Sequence, residues 1–172
     1  KAKMVKEQIL MSYADKISVQ IISPATVCGY SPRMRLDVAV NMLTMQALHR
    51  KEMTVFGGNQ TRPNIHIDDI TDLYIFLLSQ DVSGVYNAGF ENLSILDIAN
   101  QIAKLVPAKI TVTESNDPRS YRLNSDKLLS IGFKPKKTVQ NAIEELIVKY
   151  QGGELIDADK YYNIKTMKAL AL

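Results

Sequence analysis

The order of its periodic segments predicts an α/β protein with short strands. Stretches with apolar residues at every third or fourth position, typical of helices, alternate with short runs rich in Ile, Val and Thr, typical of strands. Hydrophobic residues make up 46% of the 172 residues and charged residues 23%, which excludes disordered and collagen-like classes. A chain of this length is large enough to form one domain with its own core.

Three of the predicted helices begin at residues typical of helix N-termini. Asp68 and Asp69 precede one apolar stretch, and Thr138 precedes the last one. Ser94 followed by Asp97 resembles a capping box, in which two residues satisfy each other's hydrogen bonds. We therefore predict helices over residues 2–14, 35–50, 69–80, 95–105, 125–130 and 139–150.

Runs of β-branched residues, together with alternation of apolar and polar residues, predict five short strands. They cover residues 17–23, 53–56, 64–67, 84–89 and 109–115. Gly29 and Pro32 predict a loop after the first strand, and the tail 154–172 is weakly patterned. No G-x-x-G-x-x-G turn follows a strand, and the pair Gly57-Gly58 leads into another strand. The sequence therefore lacks its own dinucleotide-binding fingerprint.

The first residue lies inside a helical pattern. The chain opens with Lys, and no residue typical of a helix N-cap precedes it. This start fits either a trimmed terminus or a chain that begins inside a helix of a longer protein. Met4, Ile9 and Met11 stand among charged and polar residues of this segment, a pattern that suits a helix with one buried face.

The charge pattern argues against a nucleic-acid partner. Lys and Arg number 21 and Asp and Glu 18, so the net charge is +3, and no long block of like charge occurs. A basic groove for an anionic small molecule is compatible with this balance. The single cysteine, Cys28, excludes an intramolecular disulfide and fits a reducing compartment, so we expect a cytoplasmic protein. No run of about 18 apolar residues occurs, so no membrane span is expected.

Five stretches resemble, in order and rough spacing, the C-terminal half of the extended short-chain dehydrogenase/reductase family. They are most similar to its NAD-dependent nucleotide-sugar epimerases and dehydratases. Three departures stand out: Ser23 is where Arg is usual, Cys28 where Tyr is usual, and Pro63 where Asp is usual. The stretches are KMVKE at 3–7, ISPATVCGYSPR at 22–33, VFGGNQTRPNIHIDD at 55–69, GVYNAG at 84–89 and DPRSYRLNSDKLLSIGFKPKKTVQNAIEEL at 117–146.

The resemblance implies the C-terminal part of a Rossmann-type doubly wound sheet plus a small α/β substrate-binding domain. Residues 1–30 would be the last elements of the NAD(P)-binding domain, whose N-terminal part is absent from this sequence. Residues 31–150 would form mainly the nucleotide-sugar-binding domain, with some segments returning to the Rossmann sheet. Residues 151–172 would be a C-terminal tail.

The resemblance also implies an activity for a full-length protein of roughly twice this length. That activity is NAD-linked oxidation and reduction at a sugar carbon of a nucleoside-diphosphate sugar, as in an epimerase. A 4,6-dehydratase or reductase of the same family is the alternative, and a non-catalytic, truncated sugar-nucleotide-binding module is the alternative of another class. The cofactor would be NAD or NADP, held mainly by the absent half, with no metal. The full-length protein would be a homodimer, and the 172-residue chain alone would be inactive.

Lys3 is the catalytic and cofactor-binding candidate that the resemblance implies. The family places a catalytic Tyr four residues before this Lys, which here falls outside the sequence, and a Glu four residues after it, where Glu7 stands. In the family the ammonium group lowers the pKa of the Tyr and binds the nicotinamide ribose. The Tyr then acts as general base toward a sugar hydroxyl while the cofactor takes the hydride.

Four residues are candidates for substrate binding. The guanidinium of Arg62 matches the oxygens of a diphosphate, and the family has a diphosphate-binding Arg there. Thr26 stands where several members have an Asn that contacts the sugar nucleotide, although a plain strand residue fits equally well. Arg119 would lie near the nucleotide or form a salt bridge with Asp117 or Glu114. Asn41 would face the ligand or be a satisfied amide on the helix surface.

The remaining side chains that could bind a metal or act as a nucleophile are better explained by structural roles. His66 stands near Asp68, but no second His or Cys has ligand spacing, so no metal site is predicted. His49 ends a helix, where a cation suits the helix dipole. Cys28 has no companion His that would make it a nucleophile.

Overall fold

The predicted α/β architecture is confirmed by a computed structural model, which describes residues 2–170. Helices are interspersed among single strands and pairs of consecutive strands, and a 3₁₀ turn, Asp159–Tyr161, precedes the last helix. The helices are α1 Ala2–Met11, α2 Ala39–Arg50, α3 Ile67–Leu78, α4 Ile95–Leu105, α5 Asp126–Ser130, α6 Val139–Gln151 and α7 Asn163–Ala169. The strands are β1 Gln20–Pro24, β2 Thr26–Cys28, β3 Glu52–Phe56, β4 Thr61–His66, β5 Gly84–Ala88, β6 Glu91–Ser94 and β7 Lys109–Thr113.

The described strands form three small sheets in which parallel pairing predominates. β1 pairs with β5 and β3 pairs with β7, both in parallel. β4 lies between two partners, parallel to β2 and antiparallel to β6. Parallel pairs need long crossover connections, and the helices between the paired strands supply them.

Local sequence does not predict two of the strands or the structure of the tail. β2 has only three residues and lies in the stretch 25–33 that is predicted as a loop. β6 is the polar segment ENLS, without alternation. Both pair with β4, so their extended form depends on a tertiary contact rather than on local pattern.

Two predicted helix starts are confirmed and one is wrong. Ser94 and Asp97 form the predicted capping box of α4, and Thr138 caps α6. The cap of α3 is His66 and not either of the Asp residues, because its Nδ1 accepts the hydrogen bond from the backbone N–H of Asp68 at 3.1 Å.

Asp69 has a different structural role from the predicted one. Its side chain is buried, and its two carboxylate oxygens accept the backbone N–H groups of Lys136 and Lys137 at 2.9 and 3.1 Å. A buried carboxylate is stable only when it is paired in this way. Asp69 therefore ties α3 to the segment that leads into α6.

The core consists of three clusters of buried apolar residues. The largest joins α2, α4 and α6 to β3, and it contains the fully buried Leu43, Met53 and Ile143. A second packs α3 against β4, β5 and α5. The third lies beneath the tail, where Leu155 and Tyr161 contact the loop before α2. The tail is therefore part of the core, which its weak pattern does not predict.

The first helix differs from the prediction. We expected α1 to bury one face, but the structure gives it no buried residue. Met4 is 64% exposed and Ile9 is 55% exposed, because no segment within residues 2–170 packs over this face. Among the described helices, none combines the length and apolar character needed to cross a membrane.

Cys28 provides a test of the core. It is 1% exposed, and burial, assisted by the nearby Glu91 carboxylate, raises the pKa of its thiol to about 12. The thiolate is the reactive form, so we expect a thiol reagent to modify the native chain at least about a hundredfold more slowly than the unfolded chain. Stopped-flow absorbance in buffer and in concentrated guanidinium chloride measures both rates. Equal rates would contradict the structure.

Leu155 provides a test of the tail. It is 2% exposed, whereas its neighbour Ile156 is 55% exposed. We expect Leu155→Ala to lower the free energy of unfolding by about 2–4 kcal/mol through loss of burial and the cavity left behind. Ile156→Ala is the matched control, with an effect within about 0.5 kcal/mol. Urea denaturation followed by circular dichroism measures both, and similar values for the two variants would place the tail outside the core.

Candidate functional site

A groove of about 580 Å³, which we call the arginine groove, lies between four segments of the chain. These are the junction of β1 and β2, the loop before α2, the start of β4, and the segment after β7. The lining residues are Pro24, Ala25, Thr26, Val27, Arg35, Asp37, Val38, Ala39, Arg62, Arg119 and Tyr121.

Strand pairing and one tight turn bring these segments together. Parallel pairing of β2 with β4 sets Thr26 opposite Asn64. The turn between β3 and β4 contains Gly57 and Gly58, whose φ angles of 77° and 99° favour glycine. The chain thereby passes within a few residues from β3, in one sheet, to β4, in another, and Arg62 lies beside the β1–β2 junction.

Arg62 is the best-fixed cation of the groove. Its side chain is only 15% exposed. Nη1 donates to the carbonyl oxygens of Thr61, at 3.0 Å, and of Arg119, and Nη2 donates to Asp117 Oδ2 at 3.2 Å. The ring of Tyr121 lies 5.7 Å from the guanidinium carbon, within the range of a cation–π contact. These contacts hold one edge of the guanidinium in a fixed direction.

Asp117 bridges the two arginines. Its Oδ1 accepts from Nε of Arg119 at 2.7 Å, and its Oδ2 accepts from Nη2 of Arg119 at 2.7 Å and from Arg62. The hydrogen bonds from Arg119 hold the pKa of the Asp117 carboxyl well below its usual value. An ionised carboxylate between two guanidinium groups makes the same type of contact that a phosphate group would make.

The tail fixes the opposite wall of the groove. Nε of Arg35 donates to Asp37 Oδ1 at 2.8 Å, and Asp37 Oδ2 accepts the backbone N–H of Asn163 at 3.2 Å. The backbone N–H of Leu36 donates to the carbonyl oxygen of Tyr161 at 2.9 Å. The loop that carries Arg35 is therefore held from behind by residues near the C-terminus.

A second cavity of about 390 Å³, which we call the apolar pocket, adjoins the groove. Ala39 and Arg62 line both cavities, so the two meet at the guanidinium. Apolar side chains of Ala39, Met42, Phe56 and Ile95 form its walls, and its polar lining consists of Thr54, Gln60, Arg62 and residues 114–117. A flat apolar ring with polar edges, attached to an anionic group, matches this combination.

The structure brings together three of the four predicted substrate-binding residues. Thr26, Arg62 and Arg119 line the arginine groove. Asn41 does not, because it is 2% exposed and its amide is engaged by backbone groups: Oδ1 accepts from Gly29 N at 3.1 Å and Nδ2 donates to Arg35 O at 3.0 Å. Asn41 thus fixes the loop before α2 instead of facing the groove.

Lys3, the predicted catalytic residue, lies apart from the three. It is exposed on α1 and lines neither the groove nor the apolar pocket. Its proposed role depends on a Tyr and a cofactor that the described residues do not include.

Sequence reasoning missed several lining residues. Arg35 and Asp37 fall within the predicted helix 35–50, but α2 begins only at Ala39, so both belong to a loop. Tyr121 could have been predicted from the sequence, because it is an aromatic residue two positions after Arg119. The apolar wall could not, because residues such as Met42 have the same sequence pattern as ordinary core residues.

Both histidines make contacts within the fold rather than lining either cavity. His66 is buried, with Nε2 3.4 Å from Glu145 Oε2 and Nδ1 in the cap of α3. His49 lies 3.5 Å from the hydroxyl of Tyr150. Within residues 2–170, no group of three or more His, Cys, Asp and Glu side chains is arranged to hold a metal ion.

Comparison with known sequences yields one family. The sequence model described as "NAD dependent epimerase/dehydratase family" matches residues 1–89, just over half of the chain. The dTDP-D-glucose 4,6-dehydratase of Bos taurus is 22% identical over 166 residues, covering 87% of this chain and 46% of that protein. The chain thus spans about half the length of the curated relatives it matches.

Comparison with solved structures confirms the fold. The ADP-L-glycero-D-manno-heptose-6-epimerase of Helicobacter pylori superimposes with a TM-score of 0.76 at 20% identity, covering 87% of this chain and 49% of that one. The UDP-glucuronic acid 4-epimerase of Bacillus cereus, solved with UDP-glucuronic acid and NAD, has a TM-score of 0.69 at 27% identity, with coverage of 84% and 50%. The resemblance and the Rossmann-type α/β fold class predicted from the sequence are thereby confirmed, and the chain belongs to the NAD-dependent epimerase/dehydratase family.

Proposed function

We propose that this chain is the substrate-binding portion of an NAD-dependent epimerase that acts on a nucleoside-diphosphate sugar. The observation that carries the proposal is the pair Arg62 and Arg119, held around one carboxylate at the mouth of an apolar pocket. A 4,6-dehydratase or reductase of the same family would use the same binding surface. The proposed division is residues 1–30 for the cofactor domain, 31–150 mainly for substrate and 151–172 for the tail.

The diphosphate would bind between the two arginines. Its oxygens offer the same acceptors as the Asp117 carboxylate and carry more charge, so the ligand would take over hydrogen bonds that Asp117 now accepts. The base would enter the apolar pocket beyond Arg62, between Met42 and Phe56. The sugar would then lie toward Thr26, at the β1–β2 junction.

The nicotinamide cofactor that the family implies does not fit the described residues alone. A dinucleotide phosphate needs backbone N–H groups of a glycine-rich turn that opens a helix. The Gly57-Gly58 turn opens β4 instead. Lys3 is the one residue proposed here to contact the cofactor, and the rest of that site would come from the remainder of a full-length protein.

The same groove supports one alternative, a binding module without turnover. The departures from the family pattern at Ser23, Cys28 and Pro63 favour it. Turnover of a nucleotide sugar by the full-length protein separates the enzyme from the module. For that protein we propose a cytoplasmic location and a homodimer, the latter supported by the exposed apolar side chains of α1.

Arg62 is the first residue to test. We expect Arg62→Ala to weaken binding of both inorganic pyrophosphate and UDP about tenfold or more, because charge-assisted hydrogen bonds to phosphate are lost. Arg62→Lys, which keeps the charge but not the fork, should fall between. Isothermal titration calorimetry measures the three affinities, and circular dichroism checks that the variants fold.

Arg122→Ala is the matched control. Arg122 is an exposed arginine near Arg119 in sequence, but it lines neither cavity, so its loss should change the affinity less than about twofold. If Arg62→Ala and Arg122→Ala weaken binding equally, the groove has no specific diphosphate site.

Asp117 should compete with the ligand. Replacing it by Asn removes a negative charge that faces both arginines, so we expect Asp117→Asn to bind pyrophosphate about three to ten times more tightly at low salt. The control is Asp126→Asn, an exposed carboxylate in the first turn of α5. Weaker binding by Asp117→Asn would show that the carboxylate organises the arginines rather than occupying their site.

A further inference from the structure

The apolar pocket contains one carboxylate without a partner in the described chain. Glu114 lines the pocket, is exposed, and forms no hydrogen bond or ion pair with any residue of the range 2–170. Asp117, by contrast, is fully engaged by the two arginines. Glu114 therefore remains available to whatever occupies the pocket.

Two of the other polar side chains of the pocket, Gln60 and Ser115, are already engaged by backbone groups. Gln60 turns inward: its Oε1 accepts from Gly58 N at 2.8 Å and its Nε2 donates to Phe56 O at 3.1 Å. The hydroxyl oxygen of Ser115 accepts from Asp117 N at 3.1 Å. Asn116 adds an amide beside Glu114. Among the polar side chains left without a partner within the described range at this end of the pocket, Glu114 is the charged one, and its carboxylate is an acceptor.

An ionised carboxylate can only accept hydrogen bonds. Cytosine and adenine each present an exocyclic amino group on their polar edge, and guanine presents an amino group next to a ring N–H. Uracil and thymine present a single ring N–H between two carbonyl oxygens, whose lone pairs would face the carboxylate. The donor pattern of the base therefore decides whether Glu114 attracts or repels it.

We infer that the nucleotide recognised by this chain carries an amino-bearing base, guanine, adenine or cytosine, and that Glu114 is the residue that selects it. This inference rests on the proposed function, because it requires the diphosphate to lie at Arg62 and the base in the apolar pocket. Guanine matches best, since its two neighbouring donors can meet both oxygens of Glu114 while Asn116 reaches its acceptor edge.

The test is a panel of five nucleotides, GDP, ADP, CDP, UDP and dTDP, titrated calorimetrically into the 172-residue chain. We expect at least one of the amino-bearing nucleotides to bind about tenfold more tightly than both UDP and dTDP. Glu114→Gln offers a donor as well as an acceptor, so this variant should bring the five affinities within about threefold of one another. Glu144→Gln, which removes the same charge on α6, should leave the preference unchanged.

Three outcomes overturn the inference in distinguishable ways. If UDP or dTDP binds as tightly as the others and Arg62→Ala still weakens binding, the base assignment is wrong and the proposed function stands. If the amino-base preference survives in Glu114→Gln, selection lies in another residue. If neither pyrophosphate nor any of the five nucleotides binds, the proposed function fails and the inference fails with it.

Discussion

The two-sided pairing of β4 is the constraint on which the rest of the structure depends. One edge hydrogen-bonds to β2 and the other to β6, so the strand is fixed in both directions. At its start it holds Arg62 between the groove and the pocket, and at its end His66 begins α3. A shift of one residue in register would exchange the faces on which these side chains lie.

Features with local causes could be predicted from the sequence. The caps at Ser94 and Thr138 need only neighbours three residues away, and both are present as expected. The His66 cap was not predictable, because the surroundings of a neutral histidine decide which ring nitrogen accepts, and here Glu145 Oε2 lies 3.4 Å from Nε2. β2 and β6 were missed for a related reason: their partner is distant in sequence.

The candidate site was predictable where chemistry and family pattern coincide. Arg62 and Arg119 carry charge, stand in recognisable motifs and converge in the groove. Asn41 had the right chemistry but the wrong surroundings, since the backbone of the loop before α2 takes up its amide. The apolar pocket could not be predicted from the sequence. Apolar residues that face a cavity, such as Met42 and Phe56, have the same sequence pattern as residues of the core.

The hydrogen bonds from the tail to the loop before α2 give the far end of the chain a part in molecular recognition. Tyr161 and Asn163 do not line the arginine groove. Their hydrogen bonds nevertheless hold the segment that carries Arg35 and Asp37, which do. A binding surface that is already ordered before the ligand arrives binds more tightly, because less conformational entropy is lost on binding. Shortening the C-terminus or fusing a bulky tag to it would therefore perturb ligand affinity at a distance, and expression vectors for this chain are better designed with their tags at the other end.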